Sequence, residues 1–168
     1  MIPISKKIKK EITDMVNEDQ KMRQKAEKTG VWNKKVDKEN TKKLKKIIEK
    51  YGWLSISVVG KKVSHDAWLL VQHADHDIKF QEKCLELMNK IFESNKNDVL
   101  KKDVAFLTDR IRVNKHRPQI FGTQFYINKQ KILVPRPIKN EKDIDKRRKE
   151  YGLPFFKSYL NMAKSYKK

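Results

Sequence analysis

Residues 67–71 read Ala-Trp-Leu-Leu-Val, and Ala74 follows one turn after Leu70 and Val71. On a helix of 3.6 residues per turn, these side chains cover nearly the whole circumference. A helix with no polar face has to be wrapped by others, so this segment predicts a central helix, at about 64–74, with amphipathic partners around it. Ser64 is its expected N-cap, with Asp66 in the first turn, where the helix dipole favours an anion. No segment reaches the roughly 18 consecutive apolar residues that would span a bilayer.

The partners are legible from their period. Ile8, Ile12, Met15, Met22 and Ala26 recur at three- and four-residue steps and predict a first helix over 5–28, ended by Gly30. Leu44, Ile47 and Tyr51 predict a second over 36–51, with Gly52 at its end. A short turn at 55–60 leads to the central helix. Beyond it Asp77 reads as the N-cap of a helix over 78–93 that turns Cys84, Leu85, Met88, Ile91 and Phe92 inward. Leu100, Val104, Leu107 and Ile111 predict another over 99–112, with Arg110 beside the stripe and Asp109 nearer the opposite side. From Pro118 the residues turn β-branched and aromatic, which predicts a β-hairpin of about 119–127 and 131–134, ended by Pro135 and Pro137. Two short helices, about 141–150 and 154–166, complete the chain. The fold class expected is mainly α: a single-domain helical bundle over 1–168 with an appended β-hairpin at about 119–134.

Charge bears on partners. The 41 lysines and arginines against 21 aspartates and glutamates give a formal +20. Such a chain is retained on phosphate matrices, and nonspecific nucleic-acid binding is one reading. Yet 34 of the basic residues are lysines, spread along solvent-facing positions, whereas arginine is favoured for bidentate phosphate contacts. One cysteine, Cys84, allows no internal disulfide, and the N-terminal stretch has charges where a signal peptide would be apolar. The expected setting is the cytoplasm, with no membrane partner.

Polar residues on apolar stripes mark the candidate site. Asp19 lies between Met15 and Met22 in mid-helix, where aspartate has poor propensity and no capping duty. Asp37 and Asn40 continue the stripe of Leu44 back to the start of the second helix. Charges at such positions need partners. For Asp19 the bland partner is a lysine or Arg110; for Asp37 the bland role is an N-cap. His73 follows the buried run directly. As a core histidine it would bond to a carbonyl, and beside Asp19 or Asp37 it would be oriented as a general base. His73 with His76 or Asp77 has helical spacing for a metal pair, but Asp77 has its capping role and no second pair accompanies them, so no metal is expected. There is no GxGxxG, no P-loop and no GxSxG elbow, and no cofactor is expected. Cys84 lies on an apolar face and reads as core. In "RPQIFGTQ", 117–124, Gly122 permits a close backbone approach, and Gln119 and Gln124 offer both donors and acceptors.

The blocks "GW" (52–53), "VG" (59–60), "WLLVQHADHD" with "FQ" (68–81), "LTDR" (107–110), "PQIFGTQ" (118–124), "VPRPI" (134–138) and "DKRRKEYGL" (145–153) follow in this order. Together they resemble a bacterial family of uncharacterised domains with a Gln-His-Ala-Asp block and a Tyr-Gly-Thr-Gln block, in which Phe121 replaces the tyrosine. Asp19-Gln20 and Asp37-x-x-Asn40 resemble its N-terminal elements. The resemblance implies no activity, but it implies one recurrent polar set that also includes Gln72, Gln81, Asp109, Arg110, Gln119 and Gln124. The expectation is a pocket at the end of the 64–74 helix, covered by the hairpin. His73, Asp19 and Asp37 would be catalytic, and Gln20, Asn40, Gln72, Arg110, Gln119 and Gln124 would bind the ligand. The ligand expected is small and anionic or nucleotide-like, turned over by hydrolysis or group transfer; sequestration without chemistry is the rival.

Overall fold

The computed structural model describes residues 4–165, so the last residue of the expected 154–166 helix lies outside them. The chain forms two compact units, Met1–Leu100 and Lys101–Lys168. The architecture is mainly α with one small β-hairpin, as the periodicity predicts.

The first unit contains α1 (Lys6–Thr29), α2 (Lys34–Tyr51), the short α3 (Ile56–Val59), α4 (Lys61–Gln72) and α5 (Ile78–Ser94). Helix α4 packs against the other four. Its Ala67 and Val71 are fully buried, and the helices packed on it bury Ile12 and Met15 of α1, Leu44 and Ile48 of α2, and Phe80 and Cys84 of α5. Each large apolar side chain so covered contributes about 1.5–3 kcal/mol. Gly30, at φ 71°, ends α1 by donating its N–H to the Ala26 carbonyl. Asp77 caps α5 by accepting from the Phe80 N–H at 3.0 Å. Burial pushes the Cys84 thiol up, which keeps it protonated and in its core role.

Two boundaries differ from expectation. Helix α4 starts a turn early, after Gly60, so Ser64 is a buried interior residue rather than the N-cap. Asp66 therefore lies beyond the first turn, where it accepts from Thr13 Oγ1 at 3.0 Å and pairs with Lys62 at 2.6 Å. Helix α2 also starts early: its cap is Asn33, which accepts from the Lys35 N–H, and this frees Asp37 for another role.

The second unit contains α6 (Lys101–Asn114), β1 (Phe125–Ile127), β2 (Leu133–Pro135), a 3₁₀ turn (Glu141–Asp143), α7 (Ile144–Glu150) and α8 (Phe156–Ser165). The hairpin is antiparallel, with Tyr126 opposite Val134, and shorter than expected. Asp109 explains the difference. It is fully buried rather than turned outward, and it collects the N–H groups of Ile120, Phe121 and Thr123 and the Thr123 hydroxyl at 2.6–3.1 Å. N–H groups committed to a carboxylate cannot join a ladder, so residues 120–123 wrap round it instead of extending as strand. Burial raises this carboxyl above the ordinary aspartate value, and the donors around it pull the other way without cancelling the shift.

Gly122 serves packing. Its φ is 68°, and a Cβ built there would lie 2.7 Å from the Phe156 ring and 2.9 Å from Ile144 Cδ1. Gly122→Ala should therefore cost about 1–3 kcal/mol in urea unfolding, from overpacking plus left-handed strain. A change below a few tenths would mean that Phe156 yields freely.

Candidate functional site

In the first unit the expected polar residues converge. Asp19, on α1, is 1% exposed. His73 is the residue that ends α4, and its Nδ1 lies 2.9 and 3.1 Å from the two Asp19 oxygens. A carboxylate only accepts, so Nδ1 donates, and in the neutral ring Nε2 keeps its lone pair. Arg23, one turn along α1, donates from Nε to both Asp19 oxygens at 3.0 and 3.1 Å. Its Nη2 lies 2.9 Å from Asp19 and donates to Asp37 Oδ1 at 2.7 Å. Gln20 Nε2 adds a bond to Asp19 at 2.8 Å, and Trp32 Nε1 donates to Asp37 Oδ2 at 3.3 Å. The Arg23 guanidinium also lies over the Trp32 ring, 4.8 Å from its centre.

This arrangement makes a buried carboxylate tolerable. Desolvation by itself would raise the Asp19 carboxyl, but the bonds from His73 and Arg23, with their charges, outweigh it and bring the value to about 2. Asp37, by contrast, is raised, because its burial outweighs the Arg23 charge. With the imidazole neutral, the two aspartates and one arginine carry a net charge of about −1; a proton taken up at His73 balances it.

The sign of the acid response follows. Asp19 has a folded value depressed below the usual 3.9 or so, so its contribution is complete above pH 4 and is lost as the pH falls through 4 towards 2. Wild type should lose about 1–2 kcal/mol through this group, with solvent screening taken into account. Asp37 has the opposite sign and offsets part of the loss. Urea unfolding of the first unit between pH 5 and 2 should show a flatter acid limb in Asp19→Asn than in wild type.

The remaining expected residues have identifiable duties. Asn40 is 3% exposed and donates from Nδ2 to the Met15 carbonyl at 3.3 Å, tying α2 to α1. Gln72 is buried, and its Oε1 has no hydrogen-bond partner among the described residues. Gln81 donates to the Val71 carbonyl at 3.1 Å, satisfying one of the free carbonyls at the end of α4. His76 is exposed, and Asp77 is held by Lys45 at 2.7 Å besides its capping bond. Among the described residues no three His, Cys, Asp or Glu side chains are grouped to hold a metal ion.

Arg110, Gln119 and Gln124 lie in the second unit and form a set of their own. Gln119 is fully buried, and its amide donates to the Gln124 and Arg136 carbonyls and accepts from the Gln124 N–H, at 2.8–3.0 Å. Gln124 accepts from Arg110 Nη1 at 3.1 Å and donates to Thr123 Oγ1 at 3.0 Å.

The reading from sequence missed Arg23 and Trp32. The signal for Arg23 was its i,i+4 spacing from Asp19. Trp32 carried none, because its role depends on how the chain turns from α1 into α2.

The fold and this cluster define a class of protein: a mainly helical chain whose first unit holds an imidazole on a buried carboxylate, backed by an arginine shared with a second carboxylate. The chain belongs to a family of unknown function, DUF6624, which matches residues 6–167. No curated protein and no solved structure matches it. No helix among the described residues is long and apolar enough to cross a membrane.

Proposed function

We propose that the protein is an enzyme in which His73 acts as general acid–base on a small anionic or nucleotide-like molecule, by hydrolysis or group transfer. One observation carries this reading: His73 spends its only side-chain hydrogen bonds, among the described residues, on Asp19 through Nδ1. A histidine kept only for packing has no need of a buried carboxylate at its back. An imidazole so held has a fixed tautomer, a fixed ring orientation and a countercharge for the proton it accepts at Nε2. The His73 side chain is 17% exposed, so the ring is not sealed from solvent. The formal +20 supports an anionic substrate, since a positive surface field raises its local concentration. Asp19 is the positioning carboxylate, Arg23 and Asp37 hold it, and Gln20 and Gln72, in the same unit, remain proposed ligand contacts.

The test is turnover of a panel of phosphate esters and nucleotides between pH 5 and 9, comparing wild type with His73→Asn. The asparagine amide can still bond Asp19, so the fold should survive. The rate should fall by roughly 10²–10⁴, the usual contribution of a positioned acid–base group. Unchanged turnover in the variant would remove His73 as the base. A molecule retained stoichiometrically and recovered intact would favour sequestration instead.

A further inference from the structure

The second unit carries an arginine pair that the site around His73 does not explain. Between Lys101 and Lys168 there are nineteen lysines and arginines against six aspartates and glutamates. Two of those carboxylates, Asp103 and Asp109, are buried, so the surface is more cationic than the composition. Lysines on such a surface can be mere solvation, but the six arginines separate sharply. Arg110 donates to Gln124, Arg112 to the Pro118 carbonyl, Arg147 to the carbonyls of Ile120, Lys139 and Asn140, and Arg148 to those of Phe121 and Pro154. Arg117 and Arg136 donate no side-chain hydrogen bond among the described residues, and both are exposed.

These two line one hollow of about 280 Å³, with Val113, His116, Pro118 and Pro137, and no carboxylate lies among its walls. The walls are fixed. Gln119 binds them together by its N–H to the Pro137 carbonyl, its amide to the Arg136 carbonyl and its own carbonyl from the Lys139 N–H, each at 2.8 Å. The prolines lock φ on both sides. The Arg136 guanidinium lies 4.8 Å from the centre of the Tyr126 ring, which is 41% exposed. Further along the hairpin, the turn carries exposed Lys129 and Lys131.

We propose that this strip, from the hollow along the hairpin, binds single-stranded nucleic acid. The two arginines hold backbone phosphates through their unspent N–H groups, and Tyr126 offers a ring for a base to stack on. Guanidinium suits bidentate phosphate contacts, and an aromatic ring beside a cationic groove is the usual way to hold single strands without reading sequence. Lys131, in the turn, and Arg136, just past β2, are five residues apart, at most about 17 Å at roughly 3.3 Å per residue, room for two or three nucleotides. A lone small phosphate would use the hollow but leave Tyr126 and the turn lysines idle. The strip is independent of the chemistry proposed at His73.

The test is fluorescence anisotropy of the full-length protein with a fluorescein-labelled uridine 12-mer across a salt series. Arg117→Gln with Arg136→Gln should weaken binding at least about tenfold at low salt and make the salt slope shallower by roughly 1.4, at about 0.7 per phosphate contact. Lys38→Gln with Lys42→Gln removes the same charge from exposed positions of α2 and should change affinity less than about twofold. Tyr126→Leu should weaken the oligonucleotide at least about fivefold while leaving competition by inorganic phosphate unchanged. Equal loss from the arginine and lysine pairs would overturn the proposal, because the attraction would then be diffuse. So would an unaffected Tyr126→Leu variant, which would reduce the strip to an anion site. Circular dichroism of each variant checks the fold, and neither arginine side chain makes a hydrogen bond whose loss would disturb it.

Discussion

Asp109→Asn is expected to destabilise the Lys101–Lys168 unit by about 3–5 kcal/mol, a large share of the roughly 3–10 kcal/mol a unit of that size holds at roughly 0.05–0.15 kcal/mol per residue. The carboxylate has two acceptor oxygens and meets three backbone N–H groups and a hydroxyl. An asparagine has one acceptor oxygen, and its NH₂ would face N–H groups that need an acceptor. At least one buried backbone donor is left without a partner, at about 1–3 kcal/mol, and the donor–donor approach adds to it. The loop of 120–123 should open, releasing Phe121 and Gly122 from their places under Tyr151 and Phe156. Hydrogen exchange read by mass spectrometry gives the answer locally: peptides over 119–127 should lose protection, while those over α4 keep theirs. A variant within about 1 kcal/mol of wild type, with protected 119–127 amides, would show that the loop stands without its carboxylate.

Much of this architecture could be read directly from the residues, and the failures share one cause. Helices show themselves by local period, which is why the spans of α1, α2, α5 and α6 fall within two residues of expectation. Ser64 misled because capping residues are also tolerated inside a helix, and Gly60, which separates α3 from α4, sits one turn upstream. The hairpin was overdrawn because strand propensity in "QIFGTQFYI" was counted without asking where its N–H groups go. A carboxylate on another helix takes three of them, and no window of sequence contains that fact. For the candidate site, a charge on an apolar stripe was a sound guide: Asp19 is buried, and His73 is on it. The stripe could not name Arg23 as the partner: a lysine or Arg110 was the expectation, and the arginine four positions on supplies the charge.

The role of Asp19 can be separated from plain packing by a substitution that keeps its shape. In Asp19→Asn the side chain nearest His73 Nδ1 can become a donor, which favours the tautomer with the proton on Nε2 and takes away the lone pair a base needs. Turnover should drop by roughly 10²–10⁴ in kcat, with KM within about threefold, because the carboxylate acts through His73 and not on the substrate. Stability should also fall, by about 2–4 kcal/mol, as Arg23 loses the buried charge it holds in two places. A structural role alone accounts for that fall but not for a change of tautomer. Long-range ¹H–¹⁵N correlation spectra of the His73 ring distinguish the two: wild type should show protonated Nδ1 and bare Nε2 at a pH where the ring is neutral, and the variant the reverse. Asp19→Glu retains the charge and should restore more of the tautomer than of the rate, since a longer arm shifts the ring. If the variant ring kept its Nδ1 proton while activity vanished, the loss would belong to a collapsed cluster, and the orienting role of Asp19 would be withdrawn.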